Sequence, residues 1–340
     1  MDTLLLMTKS KIENLISKRP LESKFGEHVK VLSTNTNIYE DLKLLDVQYV
    51  LLGLPEDIGV LANHGKTGAY NAWDATIKVL LNTQNNTFND ANKVLILGCL
   101  DFTSELQKLS KWQEGTEKHI AKARKLVVEI DKIVCDAVYT IVKAGKIPML
   151  IGGGHNNAYG NIKGTSLALN HKINAINFDA HSDFRALEGR HSGNGFSYAF
   201  AEGFLNNYFV FGLHENYTSE GLLETFKENK KLQYTTFEAI EIRKELSFKA
   251  EMKRAKKHID KVEFGLEIDC DAIENIPSSA QTPSGFSTSR ARQFVNYFGK
   301  QKQVAYLHIC EAAPNTEQNH QVGKLITYLI TDFIRANNYD

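Results

Sequence analysis

Two periodicities alternate along this chain. Short, mostly apolar runs at 48–53, 93–98, 147–151, 173–178, 208–212, 264–268 and 304–309 are separated by stretches whose apolar residues recur every three to four positions. Strands that are apolar on both alternating faces need a sheet covered on both sides. The intervening helical patterns run over about 104–144, 158–170, 248–260, 288–298 and 322–336. The longest stops at Gly145, suited to the left-handed turn past a helix, with Pro148 just beyond. Strand–helix alternation at this spacing predicts an α/β fold with a mainly parallel central sheet. The chain has no Pro/Ser-rich linker and no internal repeat. Residues 46–340 therefore read as one domain, with 1–45 an N-terminal extension that packs on it as an appended helix and strand.

Composition narrows the partners. Forty basic and forty acidic residues cancel, so neither nucleic acid nor an anionic membrane is expected as the main partner. No run approaches the ~20 apolar residues of a membrane helix. The brief apolar opening at 1–7 lacks the basic leader of a signal peptide. A cytoplasmic protein acting on a small molecule is expected, with homo-oligomerisation left open. Cys99, Cys135, Cys270 and Cys310 form no CxxC pair, which argues against a disulfide framework or a thiolate zinc site.

Chemistry concentrates where three apolar runs end. His155 follows Gly152-Gly153-Gly154; Asp179, His181 and Asp183 alternate after 173–178; Asp269 and Asp271 alternate after 264–268. Side chains two apart on an extended chain point the same way, so each alternating cluster aims at one place. Any one of these residues alone would be an ordinary cap or turn residue. Together, four carboxylates meeting at a strand-end cleft would repel one another strongly unless cations balanced them. Four negative charges and two neutral imidazoles call for two divalent ions. A carboxylate-rich set with imidazole and no thiolate favours Mn2+ over structural zinc. Such a pair would activate water near neutral pH.

The three clusters resemble the signatures of the ureohydrolase family, which comprises arginases, agmatinases and formimidoylglutamases. Gly153-Gly154-His155, Asp179-Ala180-His181-Ser182-Asp183 and Asp269-Cys270-Asp271 stand in the family's order. Weaker similarity reaches from Gly53-Leu54-Pro55-Glu56-Asp57 to Glu311-Ala312-Ala313-Pro314. The resemblance implies a three-layer α/β/α sandwich and a binuclear manganese hydrolase of linear amidines or guanidines. It also implies that His155, Asp179, His181, Asp183, Asp269 and Asp271 hold the metals. Asp183 would orient the attacking water and relay its proton, and Glu311 would pair with the planar cationic head of the substrate.

Residues beyond the ligands bear on the substrate. Arg185 would clamp a substrate carboxylate, as the DAHxDxR pattern of formimidoylglutamases suggests; its plain alternative is a surface pair with Glu188. Arginases carry SGNxHG where this chain has Ser192-Gly193-Asn194-Gly195-Phe196, so Phe196 replaces their proton-shuttling His. Ser192 and Asn194 are expected to touch substrate. His191 and His214 are further candidates that a loop or strand-end role would explain equally well. Glu267 stands where the family commonly has Ser, and would add negative charge if turned inward. The leading expectation is hydrolysis of N-formimidoyl-L-glutamate. Arginase-like or other guanidino-compound hydrolysis is the alternative, ahead of a non-catalytic relative.

Overall fold

Among the described residues, nine strands form one sheet: β1 (Leu4–Leu6), β2 (Tyr49–Gly53), β3 (Val94–Leu100), β4 (Ile147–Ile151), β5 (Ile173–Phe178), β6 (Leu205–Leu213), β7 (Leu232–Thr236), β8 (Phe264–Asp269) and β9 (Val304–Cys310). The computed structural model describes residues 3–33 and 37–338; Met1, Asp2 and 34–36 of the N-terminal extension, and Tyr339 and Asp340, lie outside them. The strand order is β1-β3-β2-β4-β9-β8-β5-β6-β7. Only β1 runs antiparallel, pairing Leu5 with Cys99 of β3.

The strand pleat splits the core in two. Leu51, Ile96, Met149, Ile176, Leu266 and Leu307 face one apolar cluster, which includes Ile77, Phe294 and Ile330 from helices. Their neighbours Val50, Leu95, Leu150, Ala175 and Tyr306 face the other, with Val134 and Ile162. Alternate residues of fully buried strands thus serve opposite helical layers, which gives the three-layer arrangement. No helix among the described residues is long and apolar enough to cross a membrane.

Two sequence expectations change. The pattern over 104–144 is two helices, Thr103–Leu109 and Glu117–Lys143. Gly115, at φ +76°, takes a left-handed turn between them. Thr116 then caps the second by accepting from the His119 backbone N–H at 3.2 Å. Strand β7, Leu-Gln-Tyr-Thr-Thr, escaped the apolar-run criterion because a sheet edge needs less burial. Within 1–45, β1, the helices Lys9–Leu15 and Ile38–Leu44, and buried Phe25 and Leu42 all lie against the sheet's two cores.

Strands β4, β9, β8 and β5 are consecutive neighbours at the middle of the sheet. Segments separated by more than 150 residues thereby end side by side.

Candidate metal centre

The loop after β4 turns sharply through Gly152 at φ +88° and Gly153 at φ +74°. A Cβ on Gly153 would lie 2.4 Å from Asn157 Nδ2 and 2.7 Å from the Leu54 carbonyl, so only glycine fits. This turn delivers His155 to the mouth of helix Asn157–Leu169. The His155 backbone N–H donates to Glu311 Oε1 at 2.7 Å, tying the loop after β4 to the end of β9.

The two aspartate clusters are not extended, as alternation had assumed. In each, the first aspartate folds back on its own chain. Asp179 Oδ1 accepts from His181 N at 2.6 Å, and Asp269 Oδ1 accepts from Asp271 N at 2.8 Å. These are Asx turns, in which a short carboxylate replaces a backbone acceptor two residues on. Asp183 then adopts φ +45° and Glu311 φ +61°. Such left-handed conformations cost side-chain-bearing residues on the order of 1–3 kcal/mol and persist where surroundings over-determine them.

The turns create two donor sets. His155, Asp179, Asp183 and Asp269 offer atoms lying within 4.8 Å of one another, and so do Asp179, His181 and Asp271. Asp179 belongs to both. His155 Nδ1 lies 2.8 Å from Asp183 Oδ2, 3.0 Å from Asp269 Oδ2 and 3.3 Å from Asp179 Oδ2. Yet Nδ1 is aligned as a hydrogen bond with none of them, and Asp271 Oδ1 likewise has no partner. A buried ring nitrogen amid three carboxylate oxygens, aimed at the space they share, has the geometry of a cation site. His181 Nδ1 stands 3.0 Å from Asp271 Oδ2 and 3.6 Å from Asp179 Oδ1.

Electrostatics point the same way. Burial, then the charges of Asp271 and Asp179, pushes Asp269 well above the usual carboxylate range. Burial and the Asp179 charge raise Asp183 to about 6, and burial raises Glu311 to about 8. The Asp271 charge also pushes His181 well above the usual imidazole range, so carboxylates and imidazoles here share protons that divalent cations would replace.

A buried polar scaffold supports the floor. Asn177 Nδ2 donates to Asp179 Oδ2 at 2.8 Å, and Tyr208 Oη donates to the Ser182 carbonyl at 2.7 Å. Arg190 donates to Asp131 at 2.9 and 3.2 Å and to the Asn156 carbonyl at 2.9 Å, joining helix Glu117–Lys143 to the residue beside His155. Glu56 accepts from Asn156 Nδ2 at 3.0 Å and Asn157 Nδ2 at 2.7 Å. Glu267 points inward, fully buried, and is held by Tyr306 and His308. The sequence reading passed over Asp131, Arg190, Tyr306 and His308. Lone polar residues within buried runs, such as Glu267 and His308, were the signal available.

A cavity of about 890 Å³ opens on this floor, lined by Asp183, Asp269, Asp271 and Glu311 from the floor and by Arg185 and Ser192. The Arg185 guanidinium is half-exposed and donates to Asn63 Oδ1 and Glu188 Oε1, each at 2.9 Å. It is therefore both in the wall and paired with Glu188. Ser192 Oγ accepts from Asn63 Nδ2 at 3.3 Å. Tyr217, unforeseen from sequence, stands on the same wall with its ring 5.9 Å from that of His181.

Asn194 corrects the sequence reading. It is fully buried and absent from the cavity wall. Its oxygen accepts from Arg190 and the His191 backbone, and its nitrogen donates to the Ala186 and Gly189 carbonyls. Every polar atom is spent on its own loop, so none remains for substrate. His191 is also buried: Nδ1 accepts from Gly193 N at 3.1 Å, leaving Nε2 to donate to Glu188 Oε1 at 3.1 Å. His214 packs on Phe237, ring centroids 4.8 Å apart, away from the wall. Phe196 stacks on Tyr208 and sets its edge against His155 at 5.2 Å.

A family model for the arginase family matches residues 47–335. The chain belongs to the arginase family. Among the similar curated proteins of this family is a formimidoylglutamase from a Geobacillus species, 26% identical over 304 residues, spanning 84% of this chain and 85% of the relative. Two solved structures share the arginase-family fold. Trypanosoma cruzi formiminoglutamase with Mn2+2 aligns at TM-score 0.71 and 20% identity, over 93% of this chain and 98% of that one. Bacillus subtilis formimidoylglutamase aligns at TM-score 0.71 and 16% identity, over 94% and 93%.

Proposed function

We propose that this chain hydrolyses N-formimidoyl-L-glutamate to formamide and L-glutamate with two Mn2+ ions. His155, Asp179, Asp183 and Asp269 would hold one ion; Asp179, His181 and Asp271 would hold the other. The observation that carries this reading is the pair of buried donor sets sharing Asp179 at the bottom of a cavity with a guanidinium on its wall. The unpartnered His155 and Asp271 atoms fit the metals, and oxygen-rich donors with imidazole suit Mn2+. The names of the formimidoylglutamase relatives support the substrate.

When bound, such a metal pair supplies Lewis acidity that lowers the pKa of water and yields a nucleophile at neutral pH. The chain supplies position and proton handling. Glu311, raised by burial and then by the charges of Asp271 and Asp183, gains a counter-charge when the amidinium head arrives. Arg185 binds the distal carboxylate through charge-assisted hydrogen bonds, exchanging Glu188 for substrate. Asp183, at the boundary between floor and cavity, accepts the proton of the attacking water. As water adds to the formimidoyl carbon and the bond to the glutamate nitrogen breaks, Asp183 returns that proton to the departing amine, which takes up the remaining hydroxyl proton too as the formamide carbonyl forms and leaves as the ammonium of glutamate. The imidoyl nitrogen leaves in formamide. Phe196 beside His155 leaves no imidazole at the arginase shuttle position, which counts against arginine as substrate.

Purified Mn2+-loaded protein, offered formimidoylglutamate, arginine and agmatine, provides the test. Formamide from the first alone is expected; urea from arginine with no formamide would reject the assignment.

A further inference from the structure

Beneath the candidate metal centre lies a buried polar cluster that the hydrolytic reading leaves unused. Strands β8 and β9 pair in register, setting Glu267 opposite His308. Both side chains are fully buried, and both project from the face that carries Tyr306. Glu267 Oε2 accepts from His308 Nδ1 at 2.5 Å, and Oε1 accepts from Tyr306 Oη at 2.7 Å. The carboxylate is thus clamped from two sides.

The same Oε2 also faces His155. The His155 ring presents Nδ1 to Asp179, Asp183 and Asp269, and Nε2 to Glu267 Oε2 at 3.5 Å. Nε2 is buried and makes no hydrogen bond in this conformation. A small ring rotation closes the remaining gap. An imidazole that binds a metal is neutral and has one proton to place. On Nδ1 it would occupy the space the three aspartates share; on Nε2 it meets a fixed carboxylate and frees the Nδ1 lone pair.

We propose that Glu267 is the positioning carboxylate of this centre: it accepts a hydrogen bond from the Nε2–H of His155, and so turns Nδ1 toward the donor set of Asp179, Asp183 and Asp269. Tyr306 and His308 keep Glu267 in that pose. A carboxylate behind a metal-binding imidazole fixes its tautomer and raises its basicity, and losing such a partner costs about 10–100-fold in metal affinity. The inference rests on the two-ion reading, and the test separates the two.

Mn2+ titration calorimetry on the full chain, with Glu267→Gln and Tyr306→Phe beside wild type, reads the two affinities directly. Wild type should take two ions. Glu267→Gln should weaken one of them about 10–100-fold and leave the other as in wild type, because the set of Asp179, His181 and Asp271 does not include His155. Tyr306→Phe should weaken the same ion by less. A merely structural role would lower both affinities and the melting temperature together. Two unchanged affinities in Glu267→Gln would overturn the proposal; if that variant does not fold, unchanged affinities in Tyr306→Phe would do so. Wild type taking fewer than two ions would instead overturn the two-ion reading itself.

Discussion

The floor and the wall of the cavity are built by opposite means. On the floor, His155 and Asp179 are buried, and Asp179 and Asp269 are each oriented by hydrogen bonds within their own segment. On the wall, Arg185 is half-exposed and shares its guanidinium between Asn63 and a part-exposed Glu188. Burial makes the floor unforgiving, since an unpaired charge there has no water to turn to. Exposure makes the wall exchangeable, because a surface ion pair is worth little and can yield to a substrate carboxylate. The contrast assigns chemistry to the floor and specificity to the wall.

The largest effect should come from Asp179→Asn. It alters the one side chain common to both donor sets, so Mn2+ affinity should fall by more than the ~100-fold that losing an outer partner can cost, and turnover should vanish with it. Metal analysis after dialysis checks this; two retained ions would break the distinction between a fixed floor and an exchangeable wall.

Arg185→Ala should act on KM alone. One charge-assisted contact at an exposed site is worth about 1.5 kcal/mol, or roughly tenfold in KM for formimidoylglutamate. A neutral amidine lacking the carboxylate should show no change, and comparison of the two substrates isolates the wall's share. An equal loss for both would move Arg185 from specificity to scaffold.

The smallest effect sits between the two regions, at His191. Burial, and the positive charges of Arg185 and Arg124, outweigh its hydrogen bond to Glu188 and push the imidazole down to about 4. An unfolded His titrates near ~6.5. A depressed folded value means that the stabilisation is complete above about pH 6.5 and is lost as pH falls through about 4. Between pH 7 and pH 6 the loss should be about 0.7 kcal/mol. Urea unfolding of metal-free wild type and His191→Gln at both values measures it; equal slopes would show that the loop is not held by a neutral imidazole.

The sequence carried the six donor residues and the alternation of strands and helices, because each leaves a local mark: a residue type at a fixed spacing, or an apolar run bounded by turn residues. It also placed the donors at strand ends, where the sheet presents its edge. The reason they converge was misread locally, since Asx turns and a left-handed Asp183 replace an extended strand. Backbone folding of that kind depends on hydrogen bonds that residue spacing does not encode.

Strand order was decided by tertiary structure alone. Nothing local to 147–151, 173–178, 264–269 or 304–310 says that these four segments lie side by side; burying both faces of the sheet does. That order sets Glu267 against His308 and behind His155, and Arg190 against Asp131. It also decides that Asn194 serves its own loop while Arg185 reaches the cavity. Identity and spacing fix which groups can bind a cation, but only long-range packing fixes what stands behind each one, because a buried polar group takes the partner that the fold brings to it.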